Sequence, residues 1–259
     1  MNTQAGTDGT VGKALDVLDA VAGFGRPVRF SELLAGSPHP KATLYRLVQT
    51  LTNTGMLSYD AEAQTYAPGL RLVRLAHAAW ARASLAPIAR DALDRLAAQT
   101  GETVHLAQMD GGQVIYVDKR NAARPVDMFS QAGKVGPGYC TGVGKAIMAH
   151  LPPEALDSAI QRQAFHAHTP NTLTDAAALR AELATIRAEG FAYDREEHEP
   201  GIICIAAPIL SPAGRVHGAL SITTTTAQHD LAELDTFRPL LRDTAAEIAA
   251  AVADWQFPS

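Results

Sequence analysis

Apolar residues recur at helical spacing near the start of the chain and mark the first of three short helices. Val11, Ala14, Leu15, Leu18 and Val21 follow the i, i+3, i+4 pattern of a single buried helix face. The predicted elements of this region are helices over residues 11–24, 30–34 and 40–54 and strands over residues 56–59 and 65–67. Three helices followed by a hairpin predict a winged helix-turn-helix.

The residues at the helix starts support this order of elements. We expect the Ser31 hydroxyl to cap the second helix, because serine is a favoured N-cap residue. Pro40 suits the first turn of the third helix, where a missing backbone N–H costs nothing.

Beyond residue 70 the pattern predicts a connecting helix and then a second, α+β domain. The predicted elements are helices over residues 70–80, 88–100, 143–151, 176–189 and 231–252 and strands over residues 103–109, 114–118, 201–210 and 216–224. Short turns join these strands into antiparallel hairpins. We divide the chain into a disordered tail (1–10), a winged helix-turn-helix domain (11–69), a linker helix (70–83) and a C-terminal domain with an antiparallel sheet (84–259).

The charge of the chain is divided unevenly between these domains. The whole sequence carries 22 Lys and Arg against 27 Asp and Glu, a net charge of -5. Residues 1–82 nevertheless hold eight basic and six acidic residues, whereas the remainder holds fourteen and twenty-one. A basic first domain attached to an acidic second domain is compatible with a DNA-binding head on a sensor.

Composition narrows the expected location and chemistry of the protein. Only Cys140 and Cys204 occur among 259 residues, which is too few for a disulfide scaffold and favours a reducing compartment. The first residues lack the basic and apolar regions of a signal peptide, and no apolar run approaches the ~20 residues that span a bilayer. We expect a cytoplasmic protein with no membrane segment and no cofactor.

The third predicted helix has one apolar and one polar face. Leu44, Leu47, Val48 and Leu51 share the apolar face. The opposite face and its flanks carry donors that suit base edges and phosphates in the major groove. The candidate DNA contacts are Lys41, Thr43, Tyr45, Arg46 and Gln49, with Arg26 before the second helix as a backbone contact. Spacing alone favours this interpretation and a solvated helix face about equally.

A glycine-containing segment in the second domain offers backbone donors to a ligand. Residues 139–151 read YCTGVGKAIMAHL, in which Thr141 suits an N-cap and the amides of Gly142 and Val143 open a helix. The Gly-Lys pair does not make a P-loop, because Ala146 follows the lysine and Tyr139 stands at the position of the first P-loop glycine.

Several segments together resemble the IclR family of bacterial transcriptional regulators. Residues 37–51 (SPHPKATLYRLVQTL), 55–57 (GML) and 66–69 (YAPG) resemble the family's DNA-binding head. Residues 139–151, residues 194–204 (DREEHEPGIIC) and residues 221–223 (SIT) resemble its effector domain. The resemblance extends from residue 11 to about residue 252. Ala42 departs from the Ser or Gly that is usual in the family, and Tyr139 and Cys140 depart in the second domain.

The resemblance implies a function and a set of site residues. It implies a repressor that reads a palindromic double-stranded operator as a homodimer or a dimer of dimers, and that is not an enzyme. It implies a GAF-like C-terminal domain with an effector pocket, and the amides, hydroxyls and carboxyl group of that pocket predict a small organic acid or a hydroxy or keto compound as the effector. The effector-binding residues implied by the match are Gly142, Val143, Asp194, Cys204, Ser221 and Thr223.

Other interpretations of the second domain remain open at the level of the sequence. Asp194, His198 and Cys204 could form a nucleophilic set of a hydrolase, or could ligate a metal in a metal-binding sensor. No oxyanion motif and no closely spaced ligand pair accompanies them. His166 and His168 are the only close histidine pair, and we interpret them as solvated loop residues. A purely structural chromatin-like binder is a further alternative.

Overall fold

The computed structural model describes residues 9–253, apart from the side chains of residues 80–83 and 253. Contacts between residues divide the chain into two compact units that meet at residues 82 and 83. Each unit has a hydrophobic core of its own. None of the helices in the described part of the chain combines the length and the apolar character that crossing a membrane requires.

The first unit, called the head below, is a winged helix-turn-helix. Its elements are α1 (Thr10–Gly23), β1 (Val28–Arg29), α2 (Phe30–Gly36), α3 (Lys41–Asn53), β2 (Leu57–Asp60), β3 (Thr65–Pro68) and α4 (Leu70–Ala83). The strands form an antiparallel sheet in the order β1-β3-β2. The two strands of the wing were predicted, whereas β1 was missed because a two-residue strand carries no periodic signal.

The helix starts of the head correct two expectations. Ser31 does not cap α2, because the helix begins at Phe30 and Arg29 is the N-cap residue. The backbone N–H of Arg29 donates to Glu32 Oε2 over 2.9 Å, which holds the first turn. Pro40 is the N-cap residue of α3 and lies one position before the first helical residue.

The second unit is built around a six-stranded antiparallel sheet. Its elements are α5 (Ala86–Thr100), β4 (Thr103–Asp110), β5 (Gln113–Arg120), β6 (Val135–Pro137), α6 (Gly142–Met148), α7 (Pro153–Gln161), α8 (Ala176–Glu189), β7 (Ala192–Arg195), β8 (Ile202–Leu210), β9 (Val216–Thr225), α9 (Leu231–Asp235) and α10 (Arg238–Ala253). The strand order is β6-β5-β4-β9-β8-β7. The predicted α+β class, with a winged helix-turn-helix and an antiparallel sheet in the C-terminal domain, is confirmed.

The short helix α6 lies at the centre of this unit. All seven of its residues are buried, and it contacts β4, β5, β7, β8, β9 and α8. Helices α5 and α10 contact each other and the sheet. Side chains alternate between the faces of each strand, so Ala107 and Ala219 face the core around α6 while Leu106 and Leu220 point to the other face.

The elements of the second unit agree only in part with the sequence-based expectations. Helix α8 has the predicted ends, and Asp175 caps it by accepting from the amides of Ala177 and Ala178. Helix α7 and strands β6 and β7 were missed. The predicted C-terminal helix is divided in two, because α9 ends at Asp235 and α10 begins at Arg238.

A close backbone approach holds the wing of the head against the end of α3. The N–H of Gly69 donates to the carbonyl oxygen of Met56 over 2.8 Å. A Cβ atom at Gly69 would lie 2.2 Å from the carbonyl oxygen of Gly55. Only glycine fits this position without moving the backbone, which explains the residue on physical grounds.

We expect Gly69→Ala to lower the stability of the head by about 1–3 kcal/mol, the usual range for overpacking a closed site. Differential scanning calorimetry of the full chain measures the effect. Gly36→Ala is the matched control, because a Cβ atom there meets nothing within 4 Å. An unchanged unfolding profile for Gly69→Ala would show that the backbone contact is not rigid.

Candidate functional site

Helix α3 presents the predicted polar face in the head. Its apolar positions Leu44, Leu47, Val48 and Leu51 are buried in the head core. The side chains of Lys41, Tyr45 and Arg46 are exposed, and Thr43 is half-buried at the first turn. The helix therefore offers a hydroxyl, an ammonium and a guanidinium group to an external partner.

Two of the predicted DNA contacts on α3 also have partners within the head. Gln49 is half-buried and hydrogen-bonded to the hydroxyl of Tyr66 in the wing. Tyr45 lies edge-on to Phe30, with ring centroids 5.8 Å apart. These contacts orient the two side chains. They also leave Gln49 with fewer free hydrogen-bond donors than the sequence suggested.

Arg26 forms an exposed ion pair at the start of α2. Its Nη2 atom lies 2.6 Å from Glu32 Oε1, and its guanidinium carbon lies 5.5 Å from the centroid of the Phe24 ring. A phosphate contact by Arg26 has to compete with the Glu32 carboxylate. Sequence reasoning missed this pair because the two residues belong to different elements.

The six predicted effector-binding residues line one cavity in the second unit. They come from four separate elements, α6, β7, β8 and β9. Including its open mouth, the cavity has a volume of about 380 Å³. Its lining residues are His105, Tyr116, Phe129, Ser130, Thr141, Gly142, Val143, Asp194, His198, Glu199, Ile202, Cys204, Ser221 and Thr223.

The start of α6 packs directly against the sheet. A Cβ atom at Gly142 would lie 2.4 Å from Cys204 Sγ, so glycine is needed for this approach. Thr141 is the N-cap residue as predicted, but its hydroxyl donates to the carbonyl oxygen of Pro137 over 2.8 Å and does not cap the helix. Within the described residues, the structure gives the amides of Gly142 and Val143 no acceptor.

Asp194 brings a buried carboxyl group to the cavity. Burial raises its pKa to about 7, and the Glu197 carboxylate adds to the rise. The amide of Glu197, which donates to Asp194 Oδ1 over 2.7 Å, opposes the rise, as does Lys145. Near neutral pH this carboxyl therefore exists in both protonation states.

A buried ion pair supports the turn that follows β7, the strand that carries Asp194. The fully buried ammonium group of Lys145 on α6 pairs with Glu197, and it lies 3.6 Å from Glu182 Oε1. The ammonium group of Lys145 is therefore paired inside the protein and is not available to a phosphate, which agrees with the rejection of a P-loop.

His105 on β4 lies at the wall of the cavity and was missed by sequence reasoning. It is 2% exposed, and burial lowers its pKa to about 3, with a further contribution from Lys119. Its Nε2 atom lies 2.7 Å from Ser130 Oγ, and its Nδ1 atom lies 3.2 Å from Thr223 Oγ1. The alternation of side chains along residues 103–107 places His105 on the cavity face of β4. Only the pairing of β4 with β9 brings His105 next to the predicted effector-binding residues.

The predicted nucleophilic set lacks an activated thiol. Burial raises the pKa of Cys204 to about 12, and the Asp194 carboxylate adds to the rise. An activated cysteine requires the opposite shift. His198 packs edge-on against Phe129, with ring centroids 5.1 Å apart.

The metal interpretation finds no ligand cluster. Among the described residues, no group of three His, Cys, Asp or Glu side chains is arranged to hold a metal ion. His166 and His168 are exposed in a loop, and their ring centroids are 4.9 Å apart.

A winged head that presents a polar helix, together with a second domain that encloses a small cavity, defines a ligand-responsive transcriptional regulator. The model of the IclR helix-turn-helix domain matches residues 10–61, and the model described as "Bacterial transcriptional regulator IclR C-terminal" matches residues 77–250. The chain belongs to the IclR family. It is a DNA-binding transcriptional regulator with an effector-binding C-terminal domain, and it is not an enzyme.

Individual relatives agree with this assignment. The HTH-type transcriptional regulator XynR of Escherichia coli K12 is 30% identical, covering 94% of this chain and 96% of its own. The transcriptional repressor IclR of the same strain is 28% identical, covering 82% and 78%. An IclR homologue from Microbacterium hydrocarbonoxydans, solved with 4-hydroxybenzoate, shares the fold at a TM-score of 0.80 and 22% identity, covering 95% and 99%.

We expect the contribution of Asp194 to the stability of the second domain to fall as the pH rises from about 4 to about 7. Because the pKa of Asp194 is higher in the folded protein than its usual value, the folded state binds more protons in this window. Asp194→Asn cannot titrate, so its stability relative to the wild type should increase with pH over this range and level off above it.

Thermal unfolding of both proteins between pH 4.5 and pH 8 measures this difference. Asp243→Asn is the matched control, because Asp243 is exposed on α10. A difference between Asp194→Asn and the wild type that is constant with pH would contradict the raised pKa.

Proposed function

We propose that the protein is a repressor whose affinity for its operator is set by a small organic acid, or a hydroxy or keto compound, bound in the cavity of the second domain. The observation that carries this proposal is the convergence of Gly142, Val143, Asp194, Cys204, Ser221 and Thr223, from four separate segments, on one cavity. The name of the related repressor IclR supports the direction of control.

The lining of the cavity supports the proposed class of effector. No Lys or Arg side chain is among the lining residues of the described structure, so a carboxylate has to be received by the amides at the start of α6 and by hydroxyl groups. Asp194 in its protonated form donates to a ligand, and in its ionised form it accepts. The 4-hydroxybenzoate bound to the Microbacterium homologue belongs to this class.

The cavity is nearly closed in the described conformation. It has room for only about two or three water molecules. An effector of more than a few heavy atoms therefore requires lining side chains to move. Phe129, which is 36% exposed, is a candidate for this movement because it is the one exposed residue of the described lining.

The exposed face of α3 supports a contact with the major groove of the operator. Arg46 at its centre can pair bidentately with guanine, while Lys41 and Thr43 at its start can hold phosphates. Tyr45 lies beside them. In this proposal Gln49 reads an adenine only by leaving Tyr66, and Arg26 reaches a phosphate only by leaving Glu32.

Exposed apolar side chains support self-association. Leu70 is 86% exposed and Val73 is 64% exposed on α4, and Val11 on α1 is 75% exposed. A regulator with this linker surface would bury it in a homodimer or a dimer of dimers and so read a palindromic operator. We place the protein in the cytoplasm, where its operator and a small metabolite are both available.

We expect Arg46→Ala to weaken operator binding about tenfold or more, because one bidentate base contact is worth about 1–3 kcal/mol. A DNA fragment selected from a random-sequence library by the wild-type protein serves as the operator, and fluorescence anisotropy measures the affinity. Arg90→Ala, which removes an exposed cation from α5, is the matched control. Retained affinity in Arg46→Ala, or selected fragments without an inverted repeat, would contradict the proposed reading.

We expect the double variant Ser221→Ala and Thr223→Val to bind the operator normally and to lose the response to effector. The two hydroxyls line the cavity, and both substitutions preserve side-chain volume closely. A thermal-shift screen of small carboxylates identifies a ligand, because binding to the native state raises the unfolding midpoint. An unchanged release of operator by that ligand would remove the cavity from the proposal.

A further inference from the structure

His105 occupies a central position in the wall of the effector cavity. It lies on β4 directly opposite Ser221 of the neighbouring strand β9, and it shares the cavity with Thr223. The loop after β5 places Ser130 on the other side of its ring. The imidazole ring of His105 therefore lies between the hydroxyl of Ser130 on one side and the hydroxyls of Ser221 and Thr223 on the other, and all three hydroxyls line the same small cavity.

Both ring nitrogens of His105 contact hydroxyl groups. Nε2 lies 2.7 Å from Ser130 Oγ, while Nδ1 lies 3.2 Å from Thr223 Oγ1 and 3.4 Å from Ser221 Oγ. The same ring lies edge-on to Tyr116, with ring centroids 5.3 Å apart. The structure gives the ring no carboxylate partner among the described residues, and burial lowers its pKa to about 3. The ring is neutral at any pH at which the protein works.

We propose that His105 is a specificity-determining residue of the effector site, because its neutral ring gives the hydroxyls on its two sides opposite roles and so selects effectors that carry both an acceptor and a donor. A neutral imidazole has one N–H group and one bare nitrogen. On the side of the N–H group, the hydroxyl oxygen accepts from the ring and keeps its own proton for a ligand. On the other side, the hydroxyl gives its proton to the ring and can only accept from a ligand.

The hydroxyls of β9 carry this polarity across the cavity. Ser221 Oγ lies 3.3 Å from Thr223 Oγ1, so the two groups form a chain with Nδ1 of His105. When Nδ1 carries the proton, each group in the chain donates to the next, and the last hydroxyl has a free proton to donate to a ligand. When Nδ1 is bare, the protons point towards the ring, and the last hydroxyl can only accept from a ligand. Ser130 takes the opposite role in each case. Either tautomer therefore presents one donor and one acceptor, and the two tautomers differ only in which side is which.

The assignment deepens the proposed function and rests on it, since it names the effector class of the same cavity. Hydroxy acids satisfy both sides, whereas their deoxy parents leave one buried hydroxyl without a partner. An unpaired buried hydroxyl costs at least as much free energy as one net hydrogen bond contributes, which corresponds to a difference in affinity of about tenfold or more.

The test compares hydroxy acids with their deoxy parents: glycolate with acetate, lactate with propionate, and 4-hydroxybenzoate with benzoate. Calorimetric titration of the full-length protein measures each affinity. We expect at least one hydroxy acid to bind about tenfold more tightly than its parent. His105→Phe keeps a planar ring without nitrogens, and it should reduce that ratio to about one.

A second variant guards against a folding defect at the buried site. Ser130→Ala changes only a loop hydroxyl and leaves the sheet intact, and it should also reduce the ratio. His217→Phe, on β9 and outside the cavity lining, is the matched control and should keep the wild-type ratio. Labelling with ¹⁵N-histidine adds a readout that a purely structural histidine would not change, because a bound hydroxy acid should fix one tautomer of His105 and give one bare and one protonated ring nitrogen.

Two results would overturn the assignment. The first is that no hydroxy acid binds more tightly than its deoxy parent, which includes the case in which nothing binds. The second is that both His105→Phe and Ser130→Ala keep the affinity ratio of the wild type. Failure of the proposed function gives a different result. In that case the panel binds with a His105-dependent preference, but operator affinity does not change when the ligand is added.

Discussion

The buried ion pair between Lys145 and Glu197 is the interaction on which the effector domain depends. Lys145 lies in the middle of α6, a helix that contacts five of the six strands, and Glu197 follows β7 at the edge of the sheet. The pair ties the central helix to the turn that directly follows β7, the strand that carries Asp194. Removing one partner of such a pair leaves an uncompensated buried charge, at a cost of about 3–5 kcal/mol. The position of the cavity wall is therefore fixed by a contact that no ligand touches.

Because Glu197 neutralises the buried lysine, Lys145 adds no net positive charge to the cavity beside it. His105 is neutral, the thiol of Cys204 is protonated, and Asp194 titrates near neutral pH. No Lys or Arg side chain lines the described cavity, and the Glu199 carboxylate, whose pKa is lowered, carries a negative charge. An anionic ligand therefore gains little from Coulombic attraction, and the direction of each hydrogen bond helps to decide which ligands fit. An anionic ligand close to Asp194 favours the protonated carboxyl, so binding of such a ligand takes up a proton when the pH is near 7.

The sequence contained enough information for the parts of the molecule that are governed by periodicity. The buried face of α3 follows from the spacing of Leu44, Leu47, Val48 and Leu51, and both ends of α8 follow from its pattern and the Asp175 cap. The shared face of Ser221 and Thr223 follows from strand alternation. Family resemblance then assigned the cavity residues, which no local pattern could have brought together.

The missed features have a common physical origin in contacts between distant segments. The role of His105 depends on β4 lying beside β9 and on a loop that returns to its ring. Gln49 is drawn to Tyr66, and Arg26 to Glu32, by tertiary or inter-element geometry that a helical wheel does not contain. Strand β1 exists only because β3 offers it an edge. In each case the residue type permitted the contact, and the fold selected it.

The contact between Gly142 and Cys204 extends the same reasoning to the shape of the cavity. The helix start and strand β8 approach so closely that any Cβ atom at residue 142 would lie 2.4 Å from the cysteine sulfur. Enlarging residue 142 therefore requires a smaller side chain at residue 204, or a displacement of α6 that would strain the Lys145–Glu197 pair. The amides at the start of α6 therefore cannot move independently of the sheet residues packed behind them. A change of effector is consequently easier to achieve at Ser130, Phe129 and the β9 hydroxyls, whose side chains can vary without moving the helix.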